Sequence, residues 1–331
     1  MKVLFIGGTG NISSAVRAFC INKGVDLYLL NRGNRKNNLD GAKLLTADVN
    51  DPLQMTNVLK NHYWDVVVNW IAFEEKDINR DYELFRDKTK QYIFISSASC
   101  YQKPLSHPVV TESTPISNPY WQYSRNKIGC ELKLNSLYRE NGFPITIVRP
   151  SLTYNTVIPV PIGGWTEYTI VDRIKKGKKI IVHGDGTSLW TITHADDFAV
   201  GIAGLFGHQQ AIGNSFHITS DEILTWDQIY NALANAVGAE ANIVHIPSDL
   251  LGMYKEELIG SLVGDKAVSV IFDNSKIKKS VPEFKAVIPF SKGIRRTLDW
   301  FEAEPERMII KQETNDFMDK VISKYEGCFP K

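Results

Sequence analysis

Two hydrophobic rhythms alternate along the first 150 residues of this 331-residue chain. Short apolar runs recur at Val3–Ile6, Val25–Asn31, Ala42–Thr46, Asp65–Ala72, Gln91–Ser97 and Phe143–Arg149. Runs of this length, bounded by turn residues, predict strands buried on both faces. Between them the apolar positions return at helical spacing. Ile12, Val16 and Phe19 follow the first run, and a helix from Pro52 to Lys60 follows the third. The charged stretch Glu74–Lys90 has room for one modest helix, and a long helical segment begins at Pro119. Strands and helices alternating at this interval predict parallel βαβ units, an α/β fold with a doubly wound parallel sheet. The tail, residues 305–331, reads as a helix.

The first run leads straight into Gly7, Gly8 and Gly10, and a helix opens behind them. A strand, glycine turn and helix in this order form the Rossmann-type setting in which a dinucleotide pyrophosphate meets a helix N-terminus. Gly7, Gly10, Asn11 and Ile12 are the expected contacts. The third fingerprint position is Ser13, which is still small enough for close helix–strand packing. The end of the second strand is where an acid would read the adenine ribose of NAD. Here stand Asn31 and Arg32, with Arg35 and Lys36 behind them. Cations in place of a carboxylate suit a 2′-phosphate, so NADP is favoured over NAD; the alternative is a solvated basic turn. Past the third strand, Asp48 is placed to bond the adenine amino group and Val49 to pack on its ring.

Composition narrows the function classes. Apolar residues make up 43% and charged residues 23%, the balance of an ordinary globular protein. A net charge of +1 gives no electrostatic reason to expect nucleic acid or an anionic membrane as partner. No apolar run reaches membrane-spanning length, and the N-terminal run is too short for a signal-peptide core. The cysteines at 20, 100, 130 and 328 show neither CxxC spacing nor a metal-like cluster with histidine. A cytoplasmic protein with no metal site is expected.

Two further motifs follow in order. SSASCY (Ser96–Tyr101) ends the fifth strand, at the sheet edge where such folds bind ligands. YSRNK then places Tyr123 and Lys127 four apart, on one helix face. With GGTGNIS and Asp48-Val49, these motifs make the chain resemble the extended short-chain dehydrogenase/reductases, the NAD-dependent epimerase/dehydratase superfamily. HGDGTSLWTITHADDFA (His183–Ala199), FDNSK (Phe272–Lys276) and the Gly293–Trp300 stretch extend the resemblance over roughly residues 1–303. It implies a dinucleotide-binding domain over 1–150 and a smaller α+β substrate-binding region over 151–331, intimately packed. It also implies a small-molecule substrate and, by analogy, a homodimer. Ser97, Tyr123 and Lys127 take the catalytic positions. A phenol, with an ordinary pKa near ~10, is a poor base at neutral pH; a lysine one turn away and the nicotinamide's charge would lower that value. Lys127 would also hold the cofactor ribose. Ser99 would face substrate, and Ser96 would be structural.

The sequence also departs from that pattern. The dehydratases' Asp-Glu pair is replaced by Ala98 and Ser99, which leaves epimerisation or simple carbonyl/alcohol redox on a hydroxylated or keto, carbohydrate-like molecule. The family's substrate-phosphate arginine reads as Trp190, and an expected asparagine as Leu152. Trp190 and Tyr154, with Trp165, Tyr120 and Trp121, are candidates for an aromatic substrate wall. His194 reads as structural, Asp196 and Asp197 as helix caps, and Arg173–Lys179 as a solvated helix end. The missing arginine and the short segment after the fourth strand also resemble the chloroplast stem-loop RNA-binding branch. A non-catalytic or RNA-binding role is therefore the alternative, with near-neutral charge against it.

Overall fold

The computed structural model of the protein describes residues 1–33, 39 and 41–329. Strands β1 (Lys2–Ile6), β2 (Asp26–Asn31), β3 (Lys43–Thr46), β4 (Val66–Asn69), β5 (Tyr92–Ile95), β6 (Ile145–Pro150) and β7 (Asn214–Ile218) form one sheet. Its order is β7-β6-β5-β4-β1-β2-β3, and every pairing is parallel. The helices on its faces are α1 (Asn11–Asn22), α2 (Pro52–Leu59), α3 (Glu75–Phe85), α4 (Gln122–Asn141) and, after α5 (Thr169–Lys175) of the second region, α6 (Ala195–Gly204).

The period of two in β1 divides the core. Val3 and Phe5 pack with Val16 and Cys20 of α1 and Phe198 and Ile202 of α6. Leu4 and Ile6 point the other way, into a cluster with Met55, Ile78, Phe85, Cys130 and Leu134. Both faces are buried, so the strands are continuously apolar rather than alternating. Strand β4 shows how a polar residue stops such a run. The apolar stretch continues to Ala72, but β4 ends at Asn69, whose Oδ1 accepts from the amides of Ile71 and Ala72, each at 2.8 Å. Its Nδ2 donates to the buried Asp81.

The seventh strand comes from the second half of the chain. Phe216 lies opposite Val148 of β6, and α6 packs on α1. The remaining strands pair in twos: Leu152–Tyr154 with Ile192–His194, Ile180–His183 with Ile243–Ile246, Leu189–Trp190 with Leu224–Thr225, and Ile271–Phe272 with Val109–Val110. They surround a third core that includes Ile170, Trp226 and Tyr230. Asn11, at the start of α1, joins the two regions. Its Nδ2 donates to the Thr153 carbonyl at 2.9 Å, and its Oδ1 accepts from the amides of Asn155 and Thr156 at 2.9 and 3.0 Å.

Two sequence readings change here. Arg173 is not part of a solvated helix end. It is 1% exposed and reaches from α5 to the Asn315 side chain and Asp319 on the C-terminal helix, Gln312–Glu326. The cap of α6 is the His194 imidazole, which accepts from the Asp196 amide at 3.2 Å, while Asp197 accepts from the Ile288 amide at 2.9 Å. A histidine supplies the lone pair that an N-cap carboxylate usually offers.

Beneath the carboxyl end of the sheet lies an ion pair. Arg149 of β6 binds Glu131 of α4 bidentately, at 2.9 and 2.6 Å, and Ser96 donates to the same carboxylate. Glu131 is fully buried and Arg149 is 4% exposed. Removing one partner strands the other charge in the core. Glu131→Ala is therefore expected to lose about 3–5 kcal/mol of stability in urea unfolding. A loss below about 1 kcal/mol would show that Arg149 finds solvent or another partner.

Candidate active site

The strand order reverses between β1 and β4, and ligands of open α/β sheets bind at such a reversal, outside the carboxyl ends of the strands. A cleft of about 1190 Å³ opens there, walled by both regions of the chain. Gly7 and Gly8 make its floor with φ of +94° and +101°, a region open to glycine and strained for other residues. A Cβ on Gly8 would sit 2.8 Å from Leu29 Cδ2. Over Gly10 a Cβ would meet only Ser13 Oγ, at 3.5 Å, so the first turn of α1 faces open space. Ser13 Oγ accepts from the Gly10 amide at 2.9 Å, so the serine in the third fingerprint position closes the turn with its own side chain.

Gly7, Gly10, Asn11, Ile12, Asn31, Arg32, Asp48 and Val49 all line this cleft. The glycine cradle, the open helix N-terminus and these strand-end side chains fit a dinucleotide. The Asn11 amide group is the exception: it is committed to residues 153–156, so what Asn11 offers a ligand is main chain. Asn31 Oδ1 accepts from the Gly33 amide at 2.8 Å, and Asp48 Oδ1 accepts from the Asn50 amide at 2.9 Å. Each side chain therefore shapes its own turn. Arg35 and Lys36 lie outside the described residues.

Ser97, Tyr123 and Lys127 meet in the same cleft. Ser97 sits just past β5, and its hydroxyl lies 2.9 Å from that of Ser99, on the cleft wall it shares with Tyr123. Ser124 donates to Ser99 Oγ at 2.7 Å. Ser99 lines the cleft, but its hydroxyl is held between Ser97 and Ser124, and so it orients Ser97. Ser96 is structural, bound to Glu131. The Lys127 ammonium donates to the carbonyls of Ala72 and Ile95, at 2.7 and 2.8 Å, and lies 5.9 Å from the Tyr123 ring centroid. Burial pushes the Tyr123 phenol up to about 12, and the Ser97 hydroxyl only partly opposes this. The lowering expected from Lys127 is not among the causes that act on the phenol. The lysine itself is held down at about 8, because its charge is desolvated.

The residues expected to meet substrate divide. Trp190 lines the cleft and is 3% exposed. Tyr154 does not line it: the ring is fully buried against His194 and Phe290, with centroids 5.2 and 5.4 Å away. Tyr154 alternates inward on a short strand, which aromatic character alone cannot reveal. Trp121 and Trp165 are on the wall, and Trp165 is half exposed with φ +62°, a rare conformation for a bulky residue. Phe73, Lys103, Asp265 and Lys266 also line the cleft, and the sequence motifs did not single them out. Lys103 follows the SSASCY motif by two residues, a local signal; Lys266 arrives only through folding.

Comparison with known proteins fits this geometry. The profile of the NAD dependent epimerase/dehydratase family matches residues 3–218, more than half of the chain. The chain belongs to that family. Within it, the chain is 26% identical over 259 residues to the chloroplast stem-loop binding protein of 41 kDa b of Arabidopsis thaliana, covering 74% of this chain and 65% of that protein's length. It is 21% identical over 255 residues to 2'-dehydrokanamycin reductase of Streptomyces kanamyceticus, covering 75% and 70%. Among solved structures, dTDP-glucose 4,6-dehydratase of Bacillus anthracis, in complex with NAD, superposes with a TM-score of 0.72 at 18% identity, covering 92% of this chain and 98% of that one. UDP-glucuronic acid 4-epimerase of Bacillus cereus, also with NAD, gives 0.70 at 18%, covering 91% and 97%. These likenesses show the fold, an α/β Rossmann type. Among the described residues no helix is long and apolar enough to cross a membrane, and no group of three or more His, Cys, Asp or Glu could hold a metal ion.

The depressed Lys127 gives a pH signature. Between about pH 8 and the ordinary lysine value of 10.5, the unfolded chain binds a proton that the folded protein has released. Stability contributed through this residue therefore rises with pH across that window. Urea unfolding is expected to show the native protein gaining roughly 2–3 kcal/mol on Lys127→Met from pH 7.5 to pH 10. A difference that stays constant with pH would contradict the buried, desolvated ammonium.

Proposed function

We propose that this chain is an NAD(P)-dependent oxidoreductase or epimerase acting on a hydroxylated or keto small molecule. The observation that carries the reading is that one cleft holds both sets of residues: the glycine turn with Asn31, Arg32, Asp48 and Val49, and the corner of Ser97, Tyr123 and Lys127. A bound nicotinamide dinucleotide would supply or accept the hydride. The chain's own residues manage the proton. Tyr123, protonated at neutral pH as a phenol and more firmly so through its burial, donates to a carbonyl oxygen, and Ser97 bonds the same oxygen. The raised phenol suits the acid role that carbonyl reduction needs. Lys127, fixed by two main-chain carbonyls, is poised to hold the cofactor ribose next to the phenol. The positions after Ser97 are Ala98 and Ser99, with no carboxylate to drive elimination, so dehydration is not proposed.

NADP is the favoured dinucleotide. Arg32 stands exposed on the cleft wall at the end of β2, where an acid would select NAD. The RNA-binding reading draws on the likeness to the plant stem-loop binding protein, and the net charge of +1 gives it no support.

Titration of the purified protein with NADPH and NADH, followed by thermal shift, tests the reading, since a ligand of the folded state raises apparent stability. Both are expected to bind, NADPH more tightly, and Arg32→Ala should weaken NADPH by about tenfold while sparing NADH. Binding of neither would remove the oxidoreductase reading, and a preference for NADH would overturn the NADP assignment. Tyr123→Phe is expected to keep cofactor binding and to lose about 10²–10⁴-fold in turnover of any substrate found.

A further inference from the structure

Lys103, Asp265 and Lys266 bring two cations and one anion to the same stretch of cleft wall. Both lysines are buried, 5% and 9% exposed. Lys103 Nζ lies 3.9 Å from the Asp265 carboxylate, and Lys266 Nζ lies 3.2 Å from it. One carboxylate cannot neutralise two ammonium groups, so the cluster keeps a positive charge away from bulk water. Its hydrogen bonding is also thin. Lys103 donates to the Asp265 carbonyl at 3.2 Å, and Lys266 to the Ser261 carbonyl at 3.4 Å and to Asp265 at 3.2 Å. Charge-assisted bonds are ordinarily nearer 2.7–2.9 Å, and each ammonium has three hydrogens to place. A third donor is close by: Trp190, also on the wall, has a buried indole N–H with no acceptor among the described residues, and Lys103 Nζ lies 5.9 Å from its ring centroid.

The wall that carries these groups is firmly built. Leu262–Lys266 is a π-helical turn, a rare geometry that occurs frequently at functional sites. The Lys266 carbonyl is bonded to Trp226 Nε1 at 3.1 Å and to His183 Nε2 at 3.2 Å, both from fully or nearly fully buried side chains. Asn118 Nδ2 donates to the Gly264 carbonyl at 2.7 Å and to the Ser99 carbonyl at 2.9 Å. One buried amide thus locks the lysine-bearing turn to the Ser97–Ser99 corner. An internal ion cluster serving stability alone would be expected to balance its charges, because an uncompensated buried cation is costly. Burial and the neighbouring Lys266 hold the Lys103 ammonium below its ordinary range, as an under-compensated site requires.

We propose that Lys103 and Lys266, with the Trp190 indole N–H, form a seat for an oxyanion, a phosphate or carboxylate group, carried by the substrate. Only the word substrate rests on the hydride-transfer reading; the seat itself rests on its donors. The reacting carbon then sits at Ser97 and Tyr123 while the anionic group is held by the π-helical turn, with Asn118 fixing the distance between them.

The test is calorimetric titration of inorganic phosphate, and separately of acetate, into protein saturated with NADPH or NADH, so that the glycine turn is already filled. The native protein is expected to bind at least one of the two anions, with the stronger binder telling phosphate from carboxylate. Lys103→Met and Lys266→Met, which keep side-chain volume, should each weaken that binding by at least about tenfold and leave cofactor affinity unchanged. No binding of either anion, or equal binding in the native protein and both variants, would overturn the proposal. If a lysine variant does not fold, the Trp190 indole resonance of the native protein, assigned by its loss in Trp190→Phe, decides: a shift on adding the bound anion supports the seat, and a fixed resonance overturns it. Failure of both dinucleotides to bind would remove the oxidoreductase reading separately. The anion titration is then run without cofactor, and the native-minus-variant difference still reports on the lysines.

Discussion

The arrangement depends on where the chain leaves the sheet between β4 and β5. The carbonyls of Ala72 and Ile95 emerge there with no further strand to accept from, and buried carbonyls need donors. A single ammonium, that of Lys127, serves both. This fixes α4 across the strand ends, and the helical repeat does the rest. One turn before Lys127 stands Tyr123, over Ser97; one turn after stands Glu131, under Ser96 and Arg149. The Ser97–Tyr123 corner and the ion pair that supports it are thus two consequences of one helix being pinned in one register. The cost is a desolvated cation, visible in the lysine's lowered affinity for its proton.

The first half of the fold was legible because each strand is buried on both faces. An apolar run bounded by turn residues has then only one comfortable place, and β1 to β6 fall where the runs are. Boundaries moved where a polar side chain intervened, as at Asn69. The seventh strand could not be read in the same way. Asn214–Ile218 carries Asn, Ser and His among its five residues and becomes a strand only because the edge of β6 is free to receive it. Contacts made over long sequence separation are also where the site reading was least informed. Asn11 looked like a side-chain contact for a cofactor; it lines the cleft, but its side chain clasps the second region. Arg173 looked like solvent-facing charge and is buried against Asn315 and Asp319. Tyr154 looked like a substrate wall and is core. Each of these depends on what faces the side chain, which spacing along one segment does not encode.

The two halves of the cleft also differ in kind. The dinucleotide side is built mostly from backbone: a glycine turn, a helix N-terminus and strand ends, all of which follow from local sequence. The opposite side is built from side chains that meet only when the chain closes on itself, Lys103 from just past β5 and Lys266 from a π-helical turn more than 160 residues later. A chain with a net charge of +1 can still concentrate unpaired positive charge at one place. This wall is one that overall charge and short motifs do not describe.

The central claim is that Tyr123 handles the proton and that its affinity for that proton is set by what fills the cleft. In the protein alone the phenol lies at about 12, too high for a base at neutral pH. NMR titration of carbon-13-labelled tyrosine, native against Tyr123→Phe, with and without saturating oxidised dinucleotide, measures this directly. The account predicts that the Tyr123 resonance titrates near 12 in the free protein and moves at least one unit toward neutral pH, by about 1.4 kcal/mol, when the positively charged nicotinamide is bound. A Tyr123 titration unchanged by a dinucleotide shown to be bound would contradict the account.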